Sequence, residues 1–229
     1  MRFLIDTFSP EAAAQILQSF PAEGVTTNPA IICRERADLK QTLLALRGVL
    51  GDKMLHVQTM QREANAMAEE ALRLREKLSS KPDGSDFYIK LPCLPEGIKA
   101  CMRLKEEGVH VTMTAIFSPV QALSAARAGA DFVAPYVNKL DDAGEGERCV
   151  EMIARVFEKH ALKTRILAAS FRNAEQVLRV ALSGSHYITL PPAFFEKLTT
   201  HPMTELAIAG FESDWAAVYG EKKPIDLID

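Results

Sequence analysis

The sequence predicts a (β/α)8 barrel with an extra C-terminal helix, and three observations carry that prediction. Short apolar segments alternate with longer amphipathic ones, and the alternation repeats eight times within 229 residues. Polar side chains interrupt the apolar segments near their C-terminal ends, which is the rim where a barrel gathers its chemistry. No interdomain linker breaks the series, so residues 1–229 are read as one domain, and only residues 81–85 look like a flexible surface loop. An open doubly wound sheet is the competing arrangement for the same alternation.

Strands are expected at residues 2–7, 24–28, 54–59, 87–92, 110–117, 131–137, 165–170 and 187–190. Helices are expected between them at 11–20, 39–49, 63–78, 96–107, 120–128, 147–160 and 174–181. The first strand closes on Asp6 and Thr7, and Ser9-Pro10 then gives a helix start: a hydroxyl to cap and a proline that needs no partner for its missing N–H. The second strand ends in Thr26, Thr27 and Asn28, the third in Gln58, and the fourth carries Lys90. Thr114 lies late in the fifth, and Ser118-Pro119 opens the next helix. Tyr136 and Asn138 mark the end of the sixth, Ser170 that of the seventh and Thr189 that of the eighth. Gly108, Gly129 and Gly184 stand where helices stop. Beyond the last strand, residues 203–219 have a helical period and include Phe211 and the single tryptophan, Trp215. An apolar helix past a complete barrel needs a surface to cover, either its own barrel or a neighbouring subunit.

Composition excludes several classes. Apolar residues make up 48% and charged residues 25%, which argues against disorder, and the net charge of −3 comes without a basic run for a nucleic acid backbone. No uncharged run approaches the roughly 20 residues of a membrane-spanning helix, and residues 1–8 lack the long apolar core of a secretory signal. Cys33, Cys93, Cys101 and Cys149 form no CxxC pair and read as reduced, buried thiols of a cytoplasmic protein. The five histidines lack HExxH or HxH spacing, so neither a metal nor another cofactor is expected.

Lys90 is the sharpest single feature. In Phe-Tyr-Ile-Lys-Leu-Pro, alternation sends Ile89 and Leu91 toward the helices and turns Lys90 into the barrel. Desolvation there favours the uncharged amine, which attacks a ketone carbonyl and forms an iminium that draws electrons from the C3–C4 bond of a ketose. The plainer reading is a buried lysine paired with a carboxylate, with Asp6 as the partner. Tyr136 is the leading proton shuttle, acting directly or through a water held by Gln58 and Thr114; its plainer reading is an amphipathic core ring. Taken one by one, the Thr and Ser residues at strand ends are equally well read as caps and turn formers.

Four segments carry a resemblance: Gly24-Val25-Thr26-Thr27-Asn28-Pro29, Ile89-Lys90-Leu91-Pro92, Ala134-Pro135-Tyr136-Val137-Asn138 and Ala168-Ala169-Ser170-Phe171. With them the chain resembles the transaldolase superfamily, most closely its fructose-6-phosphate aldolase branch, from the first strand to the tail near Trp215. The resemblance implies the barrel fold, Lys90 as the Schiff-base lysine, and Asp6 and Asn28 holding substrate hydroxyls with Thr26 beside them. It implies Gln58, Thr114 and Tyr136 as the trio that positions a catalytic water, the tyrosine being the general acid/base, and Ser170 as a phosphate contact. It also implies a homo-oligomer, a pentamer or a decamer of stacked pentamers, in which the tail helix reaches a neighbouring subunit.

Within that resemblance, transaldolases usually carry a glutamate at the position of Gln58 and a phenylalanine at that of Tyr136, and they pass dihydroxyacetone to an acceptor aldose. Gln58 with Tyr136 is the aldolase pattern. The expected activity is therefore a class I aldolase acting on a ketose phosphate such as fructose 6-phosphate. The alternatives are a transaldolase and a non-catalytic sugar-phosphate-binding relative, against which the intact Lys90, Tyr136 and Asp6 argue. One position departs from the pattern: Lys139 replaces the usual phosphate-binding arginine. A point charge there in place of a planar fork points to a weaker or differently shaped anion such as a sulfonate, or to an unphosphorylated aldehyde, with Arg172 as the residue able to compensate.

Overall fold

The computed structural model describes residues 1–228. Eight parallel strands close in sequence order into one barrel: β1 (Arg2–Asp6), β2 (Ala22–Thr26), β3 (Met54–Gln58), β4 (Phe87–Pro92), β5 (His110–Ile116), β6 (Phe132–Pro135), β7 (Arg165–Ala168) and β8 (Tyr187–Leu190). The ring is sealed by β8 against β1, with Phe3 opposite Ile188 and Ile5 opposite Leu190. The open-sheet alternative is excluded.

The helices between strands are α1 (Pro10–Ser19), α2 (Pro29–Glu35), α3 (Leu39–Leu50), α4 (Ala64–Leu78), α5 (Pro95–Glu106), α6 (Pro119–Arg127), α7 (Val137–Asp141), α8 (Gly146–Lys159) and α9 (Ala174–Leu182). Ser9 and Ser118 cap α1 and α6 as their sequence context suggests, accepting from the N–H groups of Ala12 and Gln121 at 3.1 and 3.2 Å. Gly108, Gly129 and Gly184 all take positive φ just past α5, α6 and α9.

Strand alternation separates two apolar environments. Ile89, Leu91, Val111, Met113, Val133 and Ile166 are fully buried between strands and helices. Inside the barrel, Leu4, Phe132, Leu167 and Tyr187 form a closed plug, with Met54 and Tyr88 packed against it. The barrel is therefore filled, and only its C-terminal end is open to chemistry.

Two short helices depart from the expected pattern. Asn28 and Pro29 do not extend β2: Asn28 caps α2, its Oδ1 accepting from Ile31 N at 3.0 Å, and Pro29 occupies the first turn. The expected sixth strand also ends early. Val137 begins α7, so Asn138 lies on a helix, although the N–H groups of Val137 and Asn138 still reach the carbonyls of Ala169 and Ser170 at 2.9 and 2.8 Å. Cys93, Cys101 and Cys149 are buried as expected, but Cys33 is exposed. The face of α2 carrying Ala30, Ile31 and Arg34 is turned to a cavity, and Cys33 lies off that face.

The chain divides into a barrel unit, Met1–Phe195, and a second unit that starts at Glu196. Helix α10 (Pro192–Thr199) crosses this division, and Phe195 packs its ring against Phe20 with centroids 5.0 Å apart. In the second unit, helix α11 (Pro202–Tyr219) starts at His201, whose side chain caps Met203 N, and it has no buried residue. Trp215 there donates to Lys222 O at 2.7 Å and lies 4.6 Å from the Tyr219 ring. No helix among the described residues is long and apolar enough to cross a membrane.

Candidate active site

A cavity of about 540 Å³ opens at the C-terminal end of the barrel. Its wall brings together six residues singled out in the sequence: Asp6, Asn28, Gln58, Lys90, Tyr136 and Ser170. They come from β1, the start of α2, β3, β4, the end of β6 and the end of β7, so only ring closure makes them neighbours.

Lys90 lies in register with Gln58 on one side and Thr112 on the other, between the buried side chains of Ile89 and Leu91. It is 6% exposed, and its Nζ donates to the carbonyl oxygen of Thr27 at 2.7 Å. The plainer expectation, an amine bonded to a carboxylate, is not what the geometry gives: Asp6 acts on Lys90 only as a charge across space. Burial pulls the amine below its ordinary pKa, and the charge of Asp6 offsets part of that pull. Burial likewise raises Asp6 above the usual carboxylate range, against the opposing influence of Lys90, a hydrogen bond from Thr26 and the charge of Arg34.

Thr26 does not meet the cavity directly. Its hydroxyl donates to Asp6 Oδ1 at 2.7 Å and lies 2.6 Å from Thr189 Oγ1, linking β8, β1 and β2 through hydroxyls. Thr189 reaches the cavity wall itself, and its part in this chain was not evident from sequence. Thr114 is also one step back, 3.1 Å from the Tyr136 hydroxyl. A bulge places it there: the β5–β6 register shifts between Met113 and Ile116, with Ala115 at φ 57°. Burial raises the pKa of Tyr136, with the Thr114 bond pulling the other way, so the phenol stays protonated at neutral pH. Gln58 Oε1 is buried without a hydrogen-bond partner among the described residues, which leaves an acceptor beside Lys90. Deeper in the barrel, His56 is held neutral by burial and by the charge of Lys90.

Ser170 holds a left-handed backbone conformation, φ 67°, at the end of β7, and its carbonyl accepts the N–H of Asn138. The anion-binding expectation fares differently for the two cations. Lys139 is exposed on α7 and Arg172 pairs with Asp142 at 3.0 Å; neither lines the cavity. Arg34 does line it, and sequence reasoning missed it because no helix was expected between residues 28 and 39. Its signal was its spacing from Ala30 and Ile31, which puts all three on one helical face.

Fold and site together define a (β/α)8 barrel with an amine, unpaired by any carboxylate among the described residues, sunk in a polar cavity at its C-terminal mouth. The chain matches the family model described as "Transaldolase/Fructose-6-phosphate aldolase" over residues 3–223. It is 38% identical over 221 residues to a protein of Symbiobacterium thermophilum named "Probable transaldolase", covering 96% of this chain and 99% of that one. A "Probable transaldolase" of Brevibacillus brevis is 37% identical, with 95% and 99% covered, and one of Nitrosopumilus maritimus is 34% identical, with 99% and 100% covered. The chain belongs to the transaldolase/fructose-6-phosphate aldolase family.

Proposed function

We propose that this chain is a class I aldolase that cleaves, or forms, a ketose phosphate such as fructose 6-phosphate. The single observation that carries the reading is the state of Lys90: buried, held on the Thr27 carbonyl, and not bonded to a carboxylate among the described residues. Its amine condenses with the C2 carbonyl, and loss of water gives an iminium. The C4 hydroxyl gives up its proton as the C3–C4 bond breaks; the bonding pair moves into the iminium as an enamine, and glyceraldehyde 3-phosphate leaves. Protonation at C3 and hydrolysis then release dihydroxyacetone and the free lysine.

Asp6 and Asn28 are positioned to hold the hydroxyls of the lysine-bound half. Capping occupies Asn28 Oδ1 and leaves its amide N–H groups to donate. Tyr136, with Thr114 on its hydroxyl and the open acceptor of Gln58 nearby, supplies the proton relay. Ser170 is positioned to bond the anionic end of the substrate.

Borohydride added with dihydroxyacetone should leave one reduced adduct on Lys90, read by peptide mass mapping; an unmodified Lys90 rejects the mechanism. EDTA should leave turnover unchanged. A second reading, transaldolase, is favoured by the names of the three relatives. Turnover of fructose 6-phosphate alone supports the aldolase, whereas strict dependence on an acceptor aldose such as erythrose 4-phosphate supports the transferase. We further propose that α11 seats on a second copy of the chain in a pentamer or decamer, because Met203, Leu206 and Phe211 on it are exposed by 62%, 65% and 71%. Sedimentation of a Leu206→Lys, Phe211→Lys variant should then show a smaller species than the parent; unchanged sedimentation removes the helix from the interface.

A further inference from the structure

We propose that Arg34, on α2, binds the terminal anionic group of the substrate and takes the place of Lys139 in that role. The proposal rests on the aldolase or transaldolase reading for the identity of the substrate, but its geometry stands apart from Lys90 chemistry. Three observations support it. Arg34 lines the same cavity as Lys90 and Ser170, whereas Lys139 and Arg172 do not. Arg172 is already paired with Asp142 at 3.0 Å, while Arg34 makes no hydrogen bond or salt bridge among the described residues. Its planar fork is therefore available for two parallel bonds to phosphate or sulfonate oxygens, a geometry that a lysine does not offer.

The local structure fixes where this fork sits. Asn28 caps the start of α2, and Arg36, in the left-handed region at φ 52°, ends it. Ala30, Ile31 and Arg34 fall at i, i+1 and i+4, so they share one face, and all three line the cavity. Helical side chains lean toward the N-terminus of their helix, so the guanidinium is carried back toward Asn28 and the cavity mouth. Arg34 also acts on Asp6 as a charge across space, as expected of two groups on the wall of one cavity. Ser170, across the cavity on the far side of the ring, supplies a hydroxyl to the same group. On this view Lys139 is not needed for anion recognition, because the guanidinium that reads the anion lies on α2.

The test compares wild type, Arg34→Met, Arg34→Lys and Lys139→Met by borohydride trapping on Lys90, titrating fructose 6-phosphate and, separately, dihydroxyacetone. Arg34→Met should raise the half-saturating concentration of fructose 6-phosphate by about tenfold or more while leaving that of dihydroxyacetone unchanged. Arg34→Lys should recover part of the loss, and Lys139→Met should change little. A shift within about twofold for Arg34→Met, an equal shift for both ketoses, or a loss confined to Lys139→Met overturns the assignment. Independently of Schiff-base formation, inorganic phosphate should slow phenylglyoxal labelling of Arg34. Labelling that phosphate leaves untouched, in a protein that still traps dihydroxyacetone, removes Arg34 alone. Protection without any adduct on Lys90 removes the mechanism and keeps the anion site.

Discussion

Two buried cations stand at opposite ends of this barrel, and their surroundings differ in kind. At the N-terminal end, Arg47 donates to the carbonyls of Leu78, Gly51, Lys53 and Asp86 at 2.6, 3.0, 2.8 and 3.1 Å, and it meets the Asp86 carboxylate at 3.2 Å. Asp86 in turn accepts from Ser79, Ser80 and the Ser80 N–H. At the C-terminal end, Lys90 has, among the described residues, one carbonyl and no bonded carboxylate. Burial pulls both below their ordinary pKa, but the guanidinium spends its donors clamping loops together, whereas the amine is left short of partners. The first is architecture, and the second is the group on which the proposed function rests.

The comparison breaks if the two cations respond alike to removal. Lys90→Met should reduce turnover by at least about a thousandfold, with urea-measured stability unchanged or raised by about 1 kcal/mol, because a poorly compensated amine is replaced by an apolar chain of similar length. Arg47→Met should do the reverse. It should cost about 3–5 kcal/mol in the same urea titration by stranding Asp86, while leaving kcat of the folded fraction intact.

Between these extremes lies Tyr136→Phe, which keeps the ring and removes the hydroxyl bonded to Thr114. A fall in kcat of about 10²–10⁴-fold is expected in the cleavage assay, with dihydroxyacetone still trapped on Lys90. If transfer to an acceptor survives better than release, the phenol governs the fate of the lysine-bound half.

The pH dependence of stability sharpens the contrast further. Lys90 has a folded pKa below the 10.5 of the unfolded chain, so between the two values the unfolded state binds more protons and stability rises with pH. Asp6, with its folded pKa above 3.8, acts in the opposite sense: above that folded value its charge opposes folding, and the opposition fades as the pH drops through the window toward 3.8. Urea titrations of Lys90→Met across the alkaline window should lose the upward slope that wild type shows. The smallest effect is expected from Ala115→Gly, which relaxes the positive φ at the β5 bulge and should stabilise by about 0.5–1 kcal/mol in the same titration.

The strands, the barrel and the strand-borne side chains were legible because period-2 alternation fixes which way a residue points: Lys90, Gln58 and Asp6 needed nothing else. The positions that misled are those where the chain leaves the ladder. Asn28-Pro29 reads equally as a strand terminus and as a helix start, and the cap won. Val137 begins a five-residue helix with no capping side chain to announce it. Arg34 owes its place at the cavity to the face of a short helix that was not expected, and Thr189, read at its strand end, owes its bond to Thr26 to ring closure. Arg172 looked able to reach an anion, but its partner Asp142, separated from it in sequence by α8 and β7, cannot be inferred from spacing.

The hydroxyl chain that joins Thr189, Thr26 and Asp6 has a direction as well as a length. Each threonine owns one proton, so when Asp6 is ionised the Thr26 hydrogen is committed to Oδ1, and Thr189 must point its own at Thr26. Protonating Asp6 lifts that commitment, and both rotors become free to turn. The orientation of two alcohol hydrogens on the strands flanking β1 is thus a one-bit record of the charge on a carboxylate, and neutron density at Thr189 would read it without touching Asp6.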